Sequence, residues 1–203
     1  MATIDQLYAD MLPSLPGVPL PLLRSQFARA AQSFCARTKC WAIWTDEVAT
    51  TAAGTDYDFE LPPQAQVALI ERATCDGNDL PVESWRAFDH GDERDGSASV
   101  HSRDLLTFQL GRPLGAGKKI RIRLVLVPVA NASAYPDHLI QQYGDSIAAG
   151  AKALLMAVPG ASFGNLQLAP IHAAAFEQSI ASAAVREWRG RTLRTPRAAV
   201  QWL

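Results

Sequence analysis

The chain has 203 residues, 48% of them hydrophobic and 19% charged, with a formal net charge of −1. That length suits one generous domain or two small ones, and the near-neutral balance argues against a dedicated nucleic-acid binder. Charge is nonetheless uneven. Between Trp41 and Val100 stand 13 Asp/Glu and three Arg, whereas Arg186–Leu203 holds five Arg and one Glu. An acidic middle with a basic tail suggests complementarity between neighbouring molecules or with a partner. The N-terminus carries acids and lacks the basic-then-apolar layout of a leader. No apolar run reaches the roughly 20 residues of a membrane span, so the expectation is a globular protein made and kept in a cytoplasm. Cys35, Cys40 and Cys75 show no metal spacing, and an odd number fits poorly with a disulfide framework; reduced, partly buried thiols are expected.

Thr3 can cap a short helix over Ile4–Leu12, with Asp5 in its first turn. A link rich in Pro and Gly follows (Pro13, Pro16, Gly17, Pro19). A second helix runs from about Pro21 to Thr38, because Leu20, Leu23, Phe27, Ala30, Ala31, Phe34, Thr38 and Trp41 step by three or four. From Trp41 the period changes. Ala42–Ala49 and Thr55–Leu61 read as a hairpin, the latter alternating Tyr57, Phe59 and Leu61 with Asp56, Asp58 and Glu60. Val67–Cys75 and Leu80–Val82 flank the turn signal Asp76-Gly77-Asn78. His90–Ser102 is polar and rich in Gly and Ser, the composition of a mobile loop. Leu105–Leu110 and Lys118–Val127 are expected to pair around Arg112–Gly117, with Ile120, Ile122, Leu124 and Leu126 facing one way.

After Pro128 the chain returns to helix. Tyr135–Val158 places Ile140, Tyr143, Ile147, Ala151, Leu154, Leu155 and Val158 on one face. Its small residues Gly144, Ala148, Ala149, Gly150 and Ala153 admit close neighbours, and Pro159-Gly160 stops it. A last helix covers about Leu166–Arg189, with Phe176, Ile180, Ala184 and Trp188 on one side and Gly190 as its stop. The reading is therefore α+β: a four-helix unit with a β-rich insertion between helices 2 and 3 and an extended C-terminal arm. The bundle takes residues 1–40 and 133–190, the β-module 41–132 and the arm 191–203, with chain crossings near Trp41 and Pro128.

Motifs for chemistry are weak. Gly160–Gly164 (GASFG) matches G-x-S-x-G, but Ser162 follows a helix, His172 is only ten residues on, and the one acid in range, Glu177, comes after the histidine. A helix connector is expected there. Gly111–Lys119 (GRPLGAGKK) fails the phosphate-loop spacing and leads into a strand. His90, His101, His138 and His172 are scattered and lack metal spacing, and Asp89–Asp95 lacks the calcium-loop pattern. The expectation is no catalytic residue, no cofactor and no metal. In the tail, Arg191, Arg194 and Arg197 interleave with Leu193, Val200, Trp202 and Leu203. Trp and Arg dominate binding hot spots, and Pro196 blocks a helix, so this stretch reads as an arm that docks into another chain.

The order of segments resembles one known family. LYADMLPSLPGVPLPLLRSQFARAAQSFCARTKCW, GTDYDFELP, CDGNDLPVESW, IRIRLVLVPV, YPDHLIQQYGDSIAAGAKALLMAVPG and the Arg-rich tail together are similar to the head–tail connector (adaptor or neck) proteins of tailed bacteriophages. The likeness rests on order and spacing across most of the chain. It implies a virion structural protein that forms a ring, commonly of twelve subunits, beneath the portal. Such a ring extends the DNA channel, through which DNA passes without sequence-specific binding, and offers a platform for tail or neck proteins. Location would be the virion neck, reached from the host cytoplasm during assembly. The helical bundle would build the ring, and Arg191, Leu193, Arg194, Arg197, Val200, Trp202 and Leu203 would bind the portal. Other readings are a different neck or tail-completion component, or a serine hydrolase using Ser162.

Overall fold

A computed structural model describes residues 2–3, 5–84 and 98–190. The arm 191–203 and the 90–97 part of the polar loop lie outside those residues. The class is mixed α+β, with four α-helices among the described residues and antiparallel sheets. The chain divides into two compact units: Ala2–Thr3 with Trp41–Pro136, and residues 5–40 with 137–190.

The first unit comprises β1 (Ala2–Thr3), β2 (Ala42–Trp44), β3 (Val48–Ala49), β4 (Asp56–Asp58), β5 (Ala65–Cys75), β6 (Asn78–Leu80), β7 (Val100–His101), β8 (Thr107–Leu110), β9 (Lys119–Pro128) and β10 (Ala134–Tyr135). Its centre is β9. Ile120, Ile122, Leu124 and Leu126 are buried while Lys119, Arg121 and Arg123 are exposed, and Val125 and Val127 are buried too. Alternation at one end and a continuous apolar run at the other mark a strand half-covered and then covered on both faces. Strand β9 pairs with β5 along one edge and with β2 and β3 along the other.

That pairing overturns two expected hairpins. Segments 42–49 and 55–61 do not pair with each other: β2 and β3 join β9, and β4 joins β8 in a separate three-stranded sheet ordered β4-β8-β7. Likewise 105–110 does not pair with 118–127. Chain proximity loses because a buried strand must satisfy amides and carbonyls along both edges. In the smaller sheet, Tyr57 stacks on Phe108 with ring centres 5.2 Å apart, and Phe59 tilts against the same ring at 5.4 Å. Strand β8 starts later than the apolar run suggests. The amides of Leu106 and Thr107 donate to Asp104 Oδ1 (2.8 and 3.0 Å), and Leu105 sits at φ +59°. The expected loop ends early as well, since Val100 and His101 form β7 against β8 and are buried. The expected turn forms at Asp76-Gly77, both with positive φ (50° and 83°), but Asn78 already pairs with Cys75, so the returning strand is Asn78–Leu80 rather than Leu80–Val82.

Ala2 and Thr3 pair with Tyr135 and Ala134, so Thr3 is a strand residue. The same pairing moves the second chain crossing from near Pro128 to between Pro136 and Asp137.

The second unit holds α1 (Asp5–Met11), a short 3-10 turn (Leu12–Ser14), α2 (Leu20–Thr38), α3 (Asp137–Met156) and α4 (Ala169–Arg189). Helix α2 ends on Lys39 at φ +58°, whose amide donates to the Cys35 carbonyl at 2.8 Å, an αL cap. Asn165 organises the entry to α4, its Oδ1 accepting from the amides of Gln167 and Leu168 (3.2 and 3.1 Å). Phe34 of α2 lies 5.0 Å from the Tyr143 ring of α3 and 6.1 Å from that of Phe176 on α4. On α3 the buried residues are Leu139, Tyr143, Gly144, Ile147, Ala148, Gly150, Ala151, Leu155 and Met156; Ile140 and Leu154 are half-buried and Val158 is exposed.

Two glycines of α3 let neighbours approach, with different tolerance. A Cβ on Gly150 would meet the Phe176 ring at 2.7, 2.8 and 3.0 Å, the last at Cγ, which ring rotation cannot remove. On Gly144 it would meet only the methyl tips of Leu7 at 3.1 and 3.3 Å. Overpacking costs about 1–3 kcal/mol against a helix-propensity gain of about 1 kcal/mol. Gly150→Ala should therefore lower the urea midpoint, and Gly144→Ala should leave it unchanged or raise it. The reverse order would contradict this packing.

Candidate docking surface

The side chains singled out for chemistry are used elsewhere. The Ser162 hydroxyl donates to the Pro16 carbonyl at 3.3 Å, and Glu177 holds both guanidinium nitrogens of Arg37 (2.6 and 2.5 Å). That ion pair draws the Glu177 carboxyl below its ordinary range. His172 lies beside Lys152 in a small cleft with Asp10 and Asp145, and burial followed by the lysine charge lowers its pKa. In the 111–119 loop the amides of Gly117 and Lys118 donate to the carbonyl and hydroxyl of buried Thr50 (2.8 and 3.0 Å). Those donors are thus occupied, and Lys118 and Lys119 pair with Asp76 and Glu47 at 2.8 Å each. His138 stands in the first turn of α3, whereas His90 and Asp89–Asp95 lie outside the described residues. So do all seven expected arm residues, Arg191 to Leu203. Among the described residues no group of three or more His, Cys, Asp or Glu is gathered for a metal ion, and no helix is long and apolar enough to cross a membrane.

What the structure brings together instead is a seam on α4. Ala169, Ile180 and Ala183 are buried, with Phe176 and Glu187 half-buried on the same side. The opposite side carries Ile171, Ala174, Gln178, Ala181, Val185 and Trp188, all exposed; Ile171, Val185 and Trp188 are 61%, 48% and 77% accessible. Their steps of three and four alternate over the whole helix, the spacing with which one helix lies along another. Trp188 therefore does not share a face with Phe176. Each step of four turns 40° too far on a helix of 3.6 residues per turn, so Phe176, Ile180, Ala184 and Trp188 drift from core to solvent. The signal was present in the sequence, in phase with Ile171 rather than with Phe176.

The acidic middle is partly neutralised within its own unit. Lys119–Glu47, Lys118–Asp76, Arg72–Asp79 and Arg123–Glu71 pair at 2.6–2.9 Å. Sequence reasoning also missed a polar ladder across the three-stranded sheet. The Gln109 amide donates to Asp56, and Gln109 Oε1 lies 3.2 Å from His101 Nε2 on the other neighbouring strand. With the Gln109 amide nitrogen turned to Asp56, the imidazole N–H donates to the amide oxygen, which requires that nitrogen to be protonated. No family model and no curated protein matches the chain.

Burial lowers the His101 pKa from 6.5, outweighing the Gln109 hydrogen bond and the nearby Glu83 and Asp56 charges. The unfolded chain takes up this proton near the ordinary value and the folded chain only at lower pH. The associated stability is therefore full above about pH 6.5 and declines as pH falls below it. Urea midpoints should fall between pH 7.5 and 5.5, and His101→Gln should flatten that slope, with His172 supplying a remainder of the same sign. A wild-type midpoint independent of pH over this window would contradict the assignment.

Proposed function

We propose that the protein is a virion structural component, a head-to-tail adaptor of a tailed bacteriophage. In this reading the helical unit is a four-helix scaffold interrupted between its second and third helices by the β-rich module. Copies form a ring, commonly of twelve, beneath the portal, extend the DNA channel without reading its sequence, and present a platform to tail or neck proteins. The protein acts in the neck of the particle, after assembly in the host cytoplasm, and as a scaffold rather than a catalyst.

The observation that supports this most is the second apolar face of α4. A helix with one side in its own core and a periodic seam of Ile171, Ala174, Ala181, Val185 and Trp188 on the other is suited to lying between two helical surfaces. The small residues permit close approach, and Trp188 is an anchor of the type that dominates interfaces. Repetition of such a contact around a closed ring gives each subunit two neighbours, so modest contacts add. The segment resemblance supplies the placement in the neck, and the arm Arg191–Leu203 supplies the contact to the portal, its guanidinium groups matched to carboxylates.

Two variants test the parts separately, using portal-containing heads of the encoding phage and gradient sedimentation. Ile171→Glu with Val185→Glu should keep the helical circular-dichroism signal while reducing head-bound protein by about tenfold or more, equivalent to at least 1.4 kcal/mol. Deleting 192–203 should also preserve helix content and abolish stable attachment, leaving heads that leak DNA or fail to acquire tails. Binding of the seam variant at wild-type level would remove the seam from assembly, and normal binding of the truncated chain would remove the arm from docking. Wild-type protein that never associates with portal-containing heads would overturn the adaptor assignment.

A further inference from the structure

Three free cysteines are present, and two of them meet. Cys35 lies in the last turn of α2, where its carbonyl accepts the Lys39 amide; Cys40 follows that left-handed residue as the chain turns back over the helix end. The turn stacks the residue beyond the cap onto the last helical turn, the position where helix caps bring side chains into contact. Here both side chains are thiols, with Sγ atoms 3.9 Å apart. Cys35 is fully buried and Cys40 is 8% exposed. The neighbourhood is otherwise satisfied: the Thr38 hydroxyl donates to the Phe34 carbonyl at 2.7 Å, and the Cys40 amide donates to the Thr38 oxygen at 3.3 Å.

We propose that Cys35 and Cys40 form a dithiol modification site that closes to an intrachain disulfide with a low-molecular-weight disulfide as oxidant. Bond formation must bring the sulfurs from 3.9 Å to about 2 Å. The order of events follows from access and acidity. Cys40 is the less buried residue, and the Cys35 hydrogen bond lowers its pKa, whereas that bond and burial keep the Cys35 thiol protonated. The Cys40 thiolate attacks one sulfur of oxidised glutathione; that S–S bond breaks, and a glutathione thiolate leaves and takes up a proton. Cys35 then loses its proton and attacks the Cys40 sulfur of the mixed disulfide, expelling the second glutathione thiolate. The two protein thiols give up two electrons and two protons, and one oxidised glutathione becomes two reduced ones. The product staples the cap of α2 at the residue where the chain leaves the helical unit. This inference is independent of the adaptor reading.

The test uses the full chain carrying Cys75→Ser, so that only the pair can react. Incubation with oxidised glutathione at pH 8 should remove both thiols detectable in denaturant and lower the mass by two hydrogens. Trypsin without reductant should then yield one species joining residues 30–37 to residues 40–72, because Arg37 and Lys39 lie between the cysteines; dithiothreitol should separate them. In the same background, Cys35→Ser should stop at one glutathione per chain on Cys40, and native Cys40→Ser should stay unmodified. Retention of both thiols, accumulation of the glutathione adduct in the chain with both cysteines, or linkage between two chains would each overturn the proposal.

Discussion

The two-edged pairing of β9 is the constraint on which the β-rich unit depends. A strand carrying Ile120, Ile122, Leu124, Val125, Leu126 and Val127 must be buried, and a buried strand cannot leave amides on either edge without partners. Strand β5 supplies one edge along its full length, even at the expense of register shifts near Val67/Leu69 and Ile70/Arg72. The other edge takes two short pieces, β2 and β3, with the amide of Thr45 between them donating to the Ile122 carbonyl at 2.9 Å. The rest of the unit follows. Once 42–49 is committed to β9, segment 56–58 must find another partner, and the Tyr57–Phe108 stack gives it one in β8.

In the helical unit the corresponding constraint is close approach. Gly144 and Gly150 leave room for Leu7 and Phe176, and the ring of Phe34 touches partners on both α3 and α4. Aromatic pairs of this kind contribute about 0.5–1.5 kcal/mol beyond the area they bury. Their position on the helices decides which side of α4 is internal, and so which side is left outward. The exposed seam is a consequence of internal packing: it contains the apolar residues of α4 that the unit itself has no room to cover.

Electrostatics shows the same difference between chain order and space. Read along the sequence, residues 41–100 are strongly acidic. In space, Lys118 just before β9, with Lys119 and Arg123 on it, return to Asp76, Glu47 and Glu71. The complementarity that a linear charge count assigns to neighbouring molecules is in part spent between strands of one unit, and such exposed pairs add little stability of their own. In the proposed assembly, steering would rest on the acids left outside these ion pairs, including those along β4.

Local chemistry was legible in the sequence. The stripe over 20–38 specified α2, Pro136 with Asp137 marked the start of α3, Asp76-Gly77 formed its turn, and the alternation of 119–127 found Ile120, Ile122, Leu124 and Leu126 but not Val125 and Val127, which are buried on the other face. These features depend on residues within one or two turns of each other, whose preferences act before the chain meets itself. Partner choice was not legible. Two expected hairpins failed, while the one closed by Asp76-Gly77 formed, because hydrogen bonding between strands is set by which edges remain open, and only a tight turn gives neighbours in sequence an advantage over β9. Thr3 became a strand residue because Ala134 and Tyr135 came to it from the far side of the chain. The outward turn of Trp188 required knowing that Phe176 and Ile180, rather than Ile171, face the core. The meeting of Cys35 and Cys40 is intermediate: they are five positions apart in sequence, and the left-handed backbone at Lys39 brings their sulfurs together.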